Sequence, residues 1–383
     1  MVGRLSYTMK VIVSKIVAGI LSLLSACLLH TGIPGWVGGV LAEAAYGIIG
    51  TLQGGPKTEG LLVLYKGEIV YERYARGWDR DTPHQMFSVT KSVVSALAGI
   101  AIGEGYIRGV EQKVYDFFPD AVIAPGQESK LDMTVGHLLT MSSGLPGDSD
   151  DWDGLPIWWE AGDTGRAAFE VPQYTEPGVR FNYNSGCGVH TLACLVSRAV
   201  GRNLLEYARE KLFGPLGMTS VTWETAADGN NYGGFGISMT PRDMARFGYL
   251  ILNQGRWEDR QIIPAEYIAA ASPPSEHHPE FGYLFWTFNK YADFLGTYEA
   301  NGAFGQYIDV FPDRDLVIVR TGDLGWLFES VATLGIKLGV TSLFPNGVPL
   351  KEILGSLGKD DILLPRTPAS AASAPPSAAD SPA

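Results

Sequence analysis

The chain has 383 residues, 46% of them hydrophobic, which is enough for one large core or two. Its formal charge is −12 and it has no basic run to neutralise phosphates, which argues against nucleic acid as a partner. Three cysteines are too few for a disulfide framework.

Residues 1–44 read as an export signal or membrane anchor. Arg4, Lys10 and Lys15 precede an apolar run over 16–24, which leads into Ser25-Ala26-Cys27. Three readings stay open. Leu24-Ser25-Ala26-Cys27 resembles a bacterial lipobox, with Cys27 the lipidated residue. An uncleaved anchor over about residues 11–29 would be just long enough to span a bilayer. Cleavage near Ala42-Glu43-Ala44 is the third. All three place the rest of the chain outside the cytoplasm, and the first two attach it to a membrane.

Residues 61–65 and 68–74 are β-prone and flank Lys66-Gly67, which predicts a hairpin. A polar loop over 79–85 leads to Met86-Phe87-Ser88-Val89-Thr90-Lys91 and an almost wholly apolar run to Ile102. A helix apolar on nearly every face is a buried helix. Ser88 and Lys91 then share a face of its first turn, so the amine reaches the hydroxyl. The helix N-terminus favours negative charge there, and burial lowers a lysine pKa toward that of a neutral base. This is a Ser-x-x-Lys nucleophile site. The plainer reading is a Ser N-cap with a surface Lys. A second copy, Ser356-Leu357-Gly358-Lys359, has no apolar helix behind it and reads as chance.

From Val110 to about Asp228 the pattern is helices and long loops. Residues 134–141 form a short helix that stops at Ser142-Ser143-Gly144-Leu145-Pro146-Gly147, with His137 as a structural histidine. The acidic, aromatic loop over 148–160 either roofs a cleft, with Trp152 as a substrate contact, or is solvated with Trp anchors. Tyr183 and Ser185 stand in a loop before a helix near Cys187; Tyr183 is a candidate proton relay with Lys91, and Ser185 a candidate hydroxyl for the same network. Cys187, His190 and Cys194 share a helical face. Two buried thiols and a helix His are favoured there over a zinc site. An amphipathic helix spans 203–217, and another opens with Thr240 as N-cap and Pro241 at its first position.

Strands return over 281–288, 306–311 and 316–320, and an amphipathic helix spans 328–338. Between the first two strands, Glu299-Ala300-Asn301-Gly302-Ala303-Phe304-Gly305-Gln306-Tyr307 is a Gly-rich turn entering a strand. Its Ala303 N–H could pair with that of Ser88 as an oxyanion hole; otherwise it is an ordinary turn. Residues 346–383 form a C-terminal extension, Ala/Pro/Ser-rich and disordered from about 365. The expected fold is α+β. An antiparallel sheet is built from both chain ends and flanked by helices, and a mostly helical subdomain is inserted over about 110–235.

Ser-x-x-Lys, Tyr183-Asn184-Ser185 and the Gly-rich turn, in this order and at these intervals, resemble the penicillin-recognising serine hydrolases. The resemblance runs from about 59 to 338 within a domain of 45–345. It includes His137-Leu138-Leu139-Thr140-Met141-Ser142-Ser143-Gly144-Leu145, Pro241-Arg242-Asp243-Met244-Ala245-Arg246-Phe247-Gly248 and Gly305-Gln306-Tyr307. It implies a β-lactamase/transpeptidase-like fold, with Ser88 as nucleophile, Lys91 and Tyr183 as the base pair, and Ser88 and Ala303 as oxyanion donors. Ser185, Asn301, Gly302, Gln306 and Trp152 would meet the substrate, and no metal or cofactor is implied. Two departures stand out. Ala300-Asn301 replaces the Lys or His that meets a substrate carboxylate, and Ser185 replaces the Asn of class C β-lactamases. The pattern is nearest to family VIII esterases and 6-aminohexanoate-dimer hydrolases, which implies small esters or linear amides. The rival readings are a β-lactamase or D-Ala-D-Ala carboxypeptidase, and a cell-wall fragment or β-lactam sensor without turnover. No Gly-x-Ser-x-Gly occurs, which excludes an α/β-hydrolase elbow.

Overall fold

The computed structural model describes residues 58–148, 163–287 and 296–322. Cys27, Trp152, the 328–338 helix and both terminal segments lie outside them.

Strands β1 (Thr58–Tyr65) and β2 (Glu68–Tyr74) form the expected hairpin. Its turn places Lys66 and Gly67 at φ 51° and 78°, a geometry that Gly adopts without cost. On its other side β1 pairs antiparallel with β11 (Leu316–Gly322). Strands β10 (Gln306–Phe311), β9 (Tyr298–Gly302) and β8 (Trp286–Thr287) continue the sheet in the order β2-β1-β11-β10-β9-β8. The first and last described strands therefore meet along β1 and β11, the antiparallel sheet that the sequence predicts. The single strand expected over 281–288 shrinks to β8. Leu284 sits at φ 59° and its N–H donates to the Leu139 carbonyl, so a tertiary contact bends the run.

Period-two alternation puts Leu62, Leu64, Ile308, Val310, Val317 and Val319 in one core. Helices α1 (Val89–Gly103) and α6 (Pro241–Leu252) pack against the sheet. Thirteen of the fifteen α1 residues are buried, so the helix is core on all sides. Fully burying Val93, Leu97 and Ile100 contributes about 1.5–3 kcal/mol each. Helix α6 starts with a reciprocal Thr240–Asp243 capping box and Pro241. Arg242 grips Glu72 with two hydrogen bonds of 2.8 and 2.7 Å, fastening α6 to β2.

The inserted segment holds α2 (Val135–Leu139), α3 (Ala167–Glu170), a π-helical turn Ser185–His190, α4 (Thr191–Val200) and α5 (Leu204–Ala208). The helix expected over 203–217 ends instead in a π-helical turn, Arg209–Phe213. A small sheet of β3 (His84–Gln85), β5 (Ile237–Met239) and β4 (Thr222–Trp223) lies beside the start of α1, where the Met86 N–H donates to the Ile237 carbonyl at 2.8 Å, and β6 (Arg256–Trp257) pairs with β7 (Arg260–Gln261) after α6. Among the described residues, no helix is long and apolar enough to cross a membrane.

Candidate active site

Ser88 is the N-cap of α1, one position earlier than a first-turn residue, yet its side chain makes no cap hydrogen bond. The Oγ instead lies 2.7 Å from Lys91 Nζ. The spacing works as expected, because i and i+3 meet across one turn. Lys91 is 2% exposed, which rules out the surface-lysine reading. Burial pushes its pKa down from 10.5 to about 7, partly opposed by the charge of Asp148. The Nζ also donates to the Gly234 carbonyl at 2.8 Å, which fixes its direction. A neutral amine held there turns its lone pair to the Ser88 hydroxyl.

Gly233 and Gly234 are site residues that the motifs miss. A Cβ on Gly234 would stand 2.5 Å from the Ser185 carbonyl oxygen, and one on Gly233 would stand 2.3 Å from that of Val189. Only glycine lets this backbone lie on the π-helical turn and present its carbonyl to Lys91. The signal in the sequence is Tyr232-Gly233-Gly234-Phe235-Gly236, three glycines in five residues.

Tyr183 reaches the same place from an extended segment. Asn182 Nδ2 donates to the Leu145 carbonyl at 3.2 Å, and Asn184 Nδ2 donates to that of Pro146. Alternation along an extended chain turns Tyr183 the opposite way, toward α1. Its ring centre lies 5.0 Å from Lys91 Nζ and stacks on Trp286 at 6.0 Å, with Phe281 edge-on at 6.3 Å. Tyr183 thus sits between the amine and an aromatic wall.

The Gly-rich turn closes the site from the sheet. A Cβ on Gly302 would come within 2.2 Å of the Met86 carbonyl oxygen, and the rings of Phe87 and Phe304 lie 4.9 Å apart. Residues 86–87 therefore face 302–304, the stretches that carry Ser88 and Ala303. Phe87 and Phe304 both have left-handed φ, 47° and 62°. Bulky residues rarely adopt it, and it costs about 1–3 kcal/mol each. Each strained residue adjoins one of the two expected N–H donors.

The expected substrate contacts divide. Gly302 lies against the nucleophile turn, and Ser185 bonds the loop carboxylate Asp148. Gln306 does not serve as expected: it is 3% exposed and its Nε2 donates to the Gly322 carbonyl at 2.6 Å, bracing β10 to β11. Asn301 Nδ2 donates to Glu299 Oε1 at 2.9 Å, on the strand face away from the buried Ala300.

The π-helical turn alters the spacing of the Cys/His cluster. Cys187 lies under the influence of Lys130 and Asp148, whereas Cys194 meets Thr164 and His190. Both His190 nitrogens have protein partners: Nδ1 accepts from the Gly233 N–H at 3.2 Å, and Nε2 lies 2.6 Å from Thr164 Oγ1. Among the described residues, no three His, Cys, Asp or Glu side chains are placed to hold a metal. His137 closes a capping box with Thr134 and is structural, as read. Lys130 is fully buried too, but its ammonium donates to the Phe169 and Val171 carbonyls, and among the described residues no hydroxyl is its hydrogen-bond partner. Burial alone does not make a base.

Residues 45–321 match the β-lactamase family. The chain is 27% identical over 289 residues to the 6-aminohexanoate-dimer hydrolase of Paenarthrobacter ureafaciens, covering 69% of this chain and 72% of that one. Among solved structures it resembles EstCE1, described as a hydrolase with promiscuous acyltransferase activity. That match has a TM-score of 0.66 at 16% identity, over 79% of this chain and 99% of the other. It also resembles a penicillin-binding protein homologue from Caulobacter crescentus, with a TM-score of 0.62 at 18% identity over 78% and 97%. With most of its length matched and the sheet, helices and motifs in the family order, the chain belongs to the β-lactamase family.

Proposed function

We propose that the chain is a serine hydrolase that cleaves small esters or linear amides through an acyl-enzyme on Ser88. The observation that carries this reading is Lys91, a buried amine poised 2.7 Å from the Ser88 hydroxyl. Lys91 Nζ takes the hydroxyl proton as Ser88 Oγ attacks the carbonyl carbon. The N–H groups of Ser88 and Ala303 receive the oxyanion. The proton passes to the leaving alcohol or amine, with Tyr183 as relay. Water, deprotonated by the same pair, then releases the acid. The similarity to a 6-aminohexanoate-dimer hydrolase and to EstCE1 supports the ester or amide class. The apolar, buried Ala300 gives a β-lactam carboxylate no cation at that position.

Intact-mass spectrometry after mixing with p-nitrophenyl butyrate, and separately with a fluorescent penicillin, tests the reading. A butyryl adduct on Ser88 that turns over, with no penicilloyl adduct, is the expected result. A Ser88→Ala variant with undiminished turnover would refute it, and a stable penicilloyl adduct would move the chain to the β-lactam class. The proposal extends to location: residues 1–44 export the chain and hold it at a membrane, supported by the basic-then-apolar pattern ending at Cys27. Cys27→Ser should release it from membranes if Cys27 carries the lipid. Unchanged attachment would leave the uncleaved anchor.

A further inference from the structure

Resting on the Ser88–Lys91 reading, one more residue belongs to the machinery. The second motif is zipped to the loop after α2. The Asn182 N–H donates to the Met141 carbonyl and the Gly178 N–H to that of Ser142, both at 2.7 Å. The zipper ends on Asp148. Its Oδ1 accepts from the Ser185 N–H at 2.7 Å, its Oδ2 accepts from the Ser185 hydroxyl, and its own N–H donates to the Tyr183 carbonyl at 2.8 Å. Both backbone groups that flank Asn184 are thus tied to one aspartate. The carboxylate is exposed, and its charge acts on Lys91.

We propose that Asp148 is a positioning residue: its carboxylate holds Ser185 while its N–H holds the Tyr183 carbonyl, and its negative charge favours the protonated form of Lys91. Among the described residues, Lys91 otherwise meets the Ser88 hydroxyl, the Tyr183 ring and the Gly234 carbonyl. Asp148 also acts on Cys187, but burial pushes that thiol up to about 12 and keeps it neutral. Lys130, which also acts on Cys187, is held by its two carbonyls.

The sign follows from electrostatics. A carboxylate favours the protonated amine, so removing it lets Lys91 lose its proton at lower pH. Asp148→Asn keeps an acceptor for the Ser185 N–H and deletes the charge. Asp148→Glu keeps the charge, and Asp148→Ala deletes both.

The readout is the rate at which a fluorophosphonate labels the full chain from about pH 5 to 9. Ser88 Oγ forms the bond to phosphorus, fluoride leaves, and the hydroxyl proton goes to Lys91 and then to water. In Asp148→Asn the acid limb should move down by about half a pH unit to one unit, with the plateau within about tenfold of wild type. Asp148→Ala should show the same shift with a plateau lower than that of Asp148→Asn, and Asp148→Glu should leave the limb in place. An unmoved limb in both Asp148→Asn and Asp148→Ala overturns the proposal, whatever their plateaus, since a purely structural role lowers rates at every pH. Ser88→Ala run alongside separates the two failures. If it still takes label at the wild-type rate, the Ser88 reading itself falls. If it does not and the limb stays put, only Asp148 is wrong.

Discussion

Lys91→Met puts the buried base to a thermodynamic test. The unfolded chain holds the lysine proton up to about pH 10.5 and the native site only to about 7. Folding a charged Lys91 therefore costs about 5 kcal/mol on an order-of-magnitude basis, at 1.36 kcal/mol for each pH unit between the two values. Below about pH 7 both states are protonated and the cost is complete. Between 7 and 10.5 the unfolded state binds the extra proton, so wild-type stability gains with rising pH. Methionine has similar length and no charge, and forfeits two hydrogen bonds of about 1–3 kcal/mol each. Urea unfolding at about pH 6 and about pH 9.5 measures the difference between variant and wild type. The variant's stability relative to wild type should be about 3 kcal/mol more favourable at the lower pH, while kcat/KM falls by about a thousandfold or more at both. Stability curves that run parallel with pH would show that Lys91 keeps its proton in the native state, and would refute it as a resting neutral base.

Three further perturbations separate chemistry from architecture. Gly302→Ala drives a Cβ to 2.2 Å from the Met86 carbonyl oxygen, so the Ala303 N–H must shift; kcat should fall about 100–1000-fold with KM little changed, read by steady-state ester hydrolysis. Tyr183→Phe should cost about a hundredfold in kcat if the hydroxyl carries the proton, and a near-wild-type rate would reduce it to packing between Lys91 and Trp286. Arg242→Ala strips a half-buried pair with Glu72 that joins α6 to β2. It should lower unfolding free energy by about 1–3 kcal/mol while kcat holds, and a tenfold loss of kcat at 25 °C would tie α6 to the chemistry.

Why some of this is legible in the sequence and some is not comes down to how far each contact reaches along the chain. Ser88 and Lys91 need only an i, i+3 spacing and an apolar helix behind them, and both are local. The sheet from two chain ends is readable because alternation and turn residues mark each strand, although closure along β1 and β11 is a tertiary event. The 281–288 run shows the limit: its apolar residues are β-prone, yet the Leu139 carbonyl captures a backbone N–H and turns the chain. Gly234 is hidden because its carbonyl meets Lys91 across 143 positions. Phe87 and Phe304 are hidden for another reason. Nothing local favours left-handed φ in a phenylalanine, so ring packing and the nucleophile turn must impose it. Asp148 stands among four acids between 148 and 153, and only the zipper to residues 178–185 singles it out. Gln306 reads as a site residue from its motif, but the motif does not say which face of β10 the side chain takes.

Ala300 connects the base to substrate choice. β9 packs against α1, and Ala300 turns into the shared core while Asn301 turns to Glu299. A lysine at 300 would put a second amine into the interior that already desolvates Lys91. Like charges there disfavour each other, so either proton is lost more easily than one alone. With alanine, the base answers to burial and to Asp148, and the site keeps no fixed cation at 300 to seize a substrate carboxylate. Ala300→Lys should therefore lower the acid limb of Ser88 labelling and destabilise the fold by several kcal/mol below about pH 7. It should also raise the rate of penicillin acylation relative to that of butyrate ester. If the lysine enhances penicillin acylation and leaves the limb where it was, the two amines do not feel each other, and position 300 sets substrate choice without touching the proton affinity of Lys91.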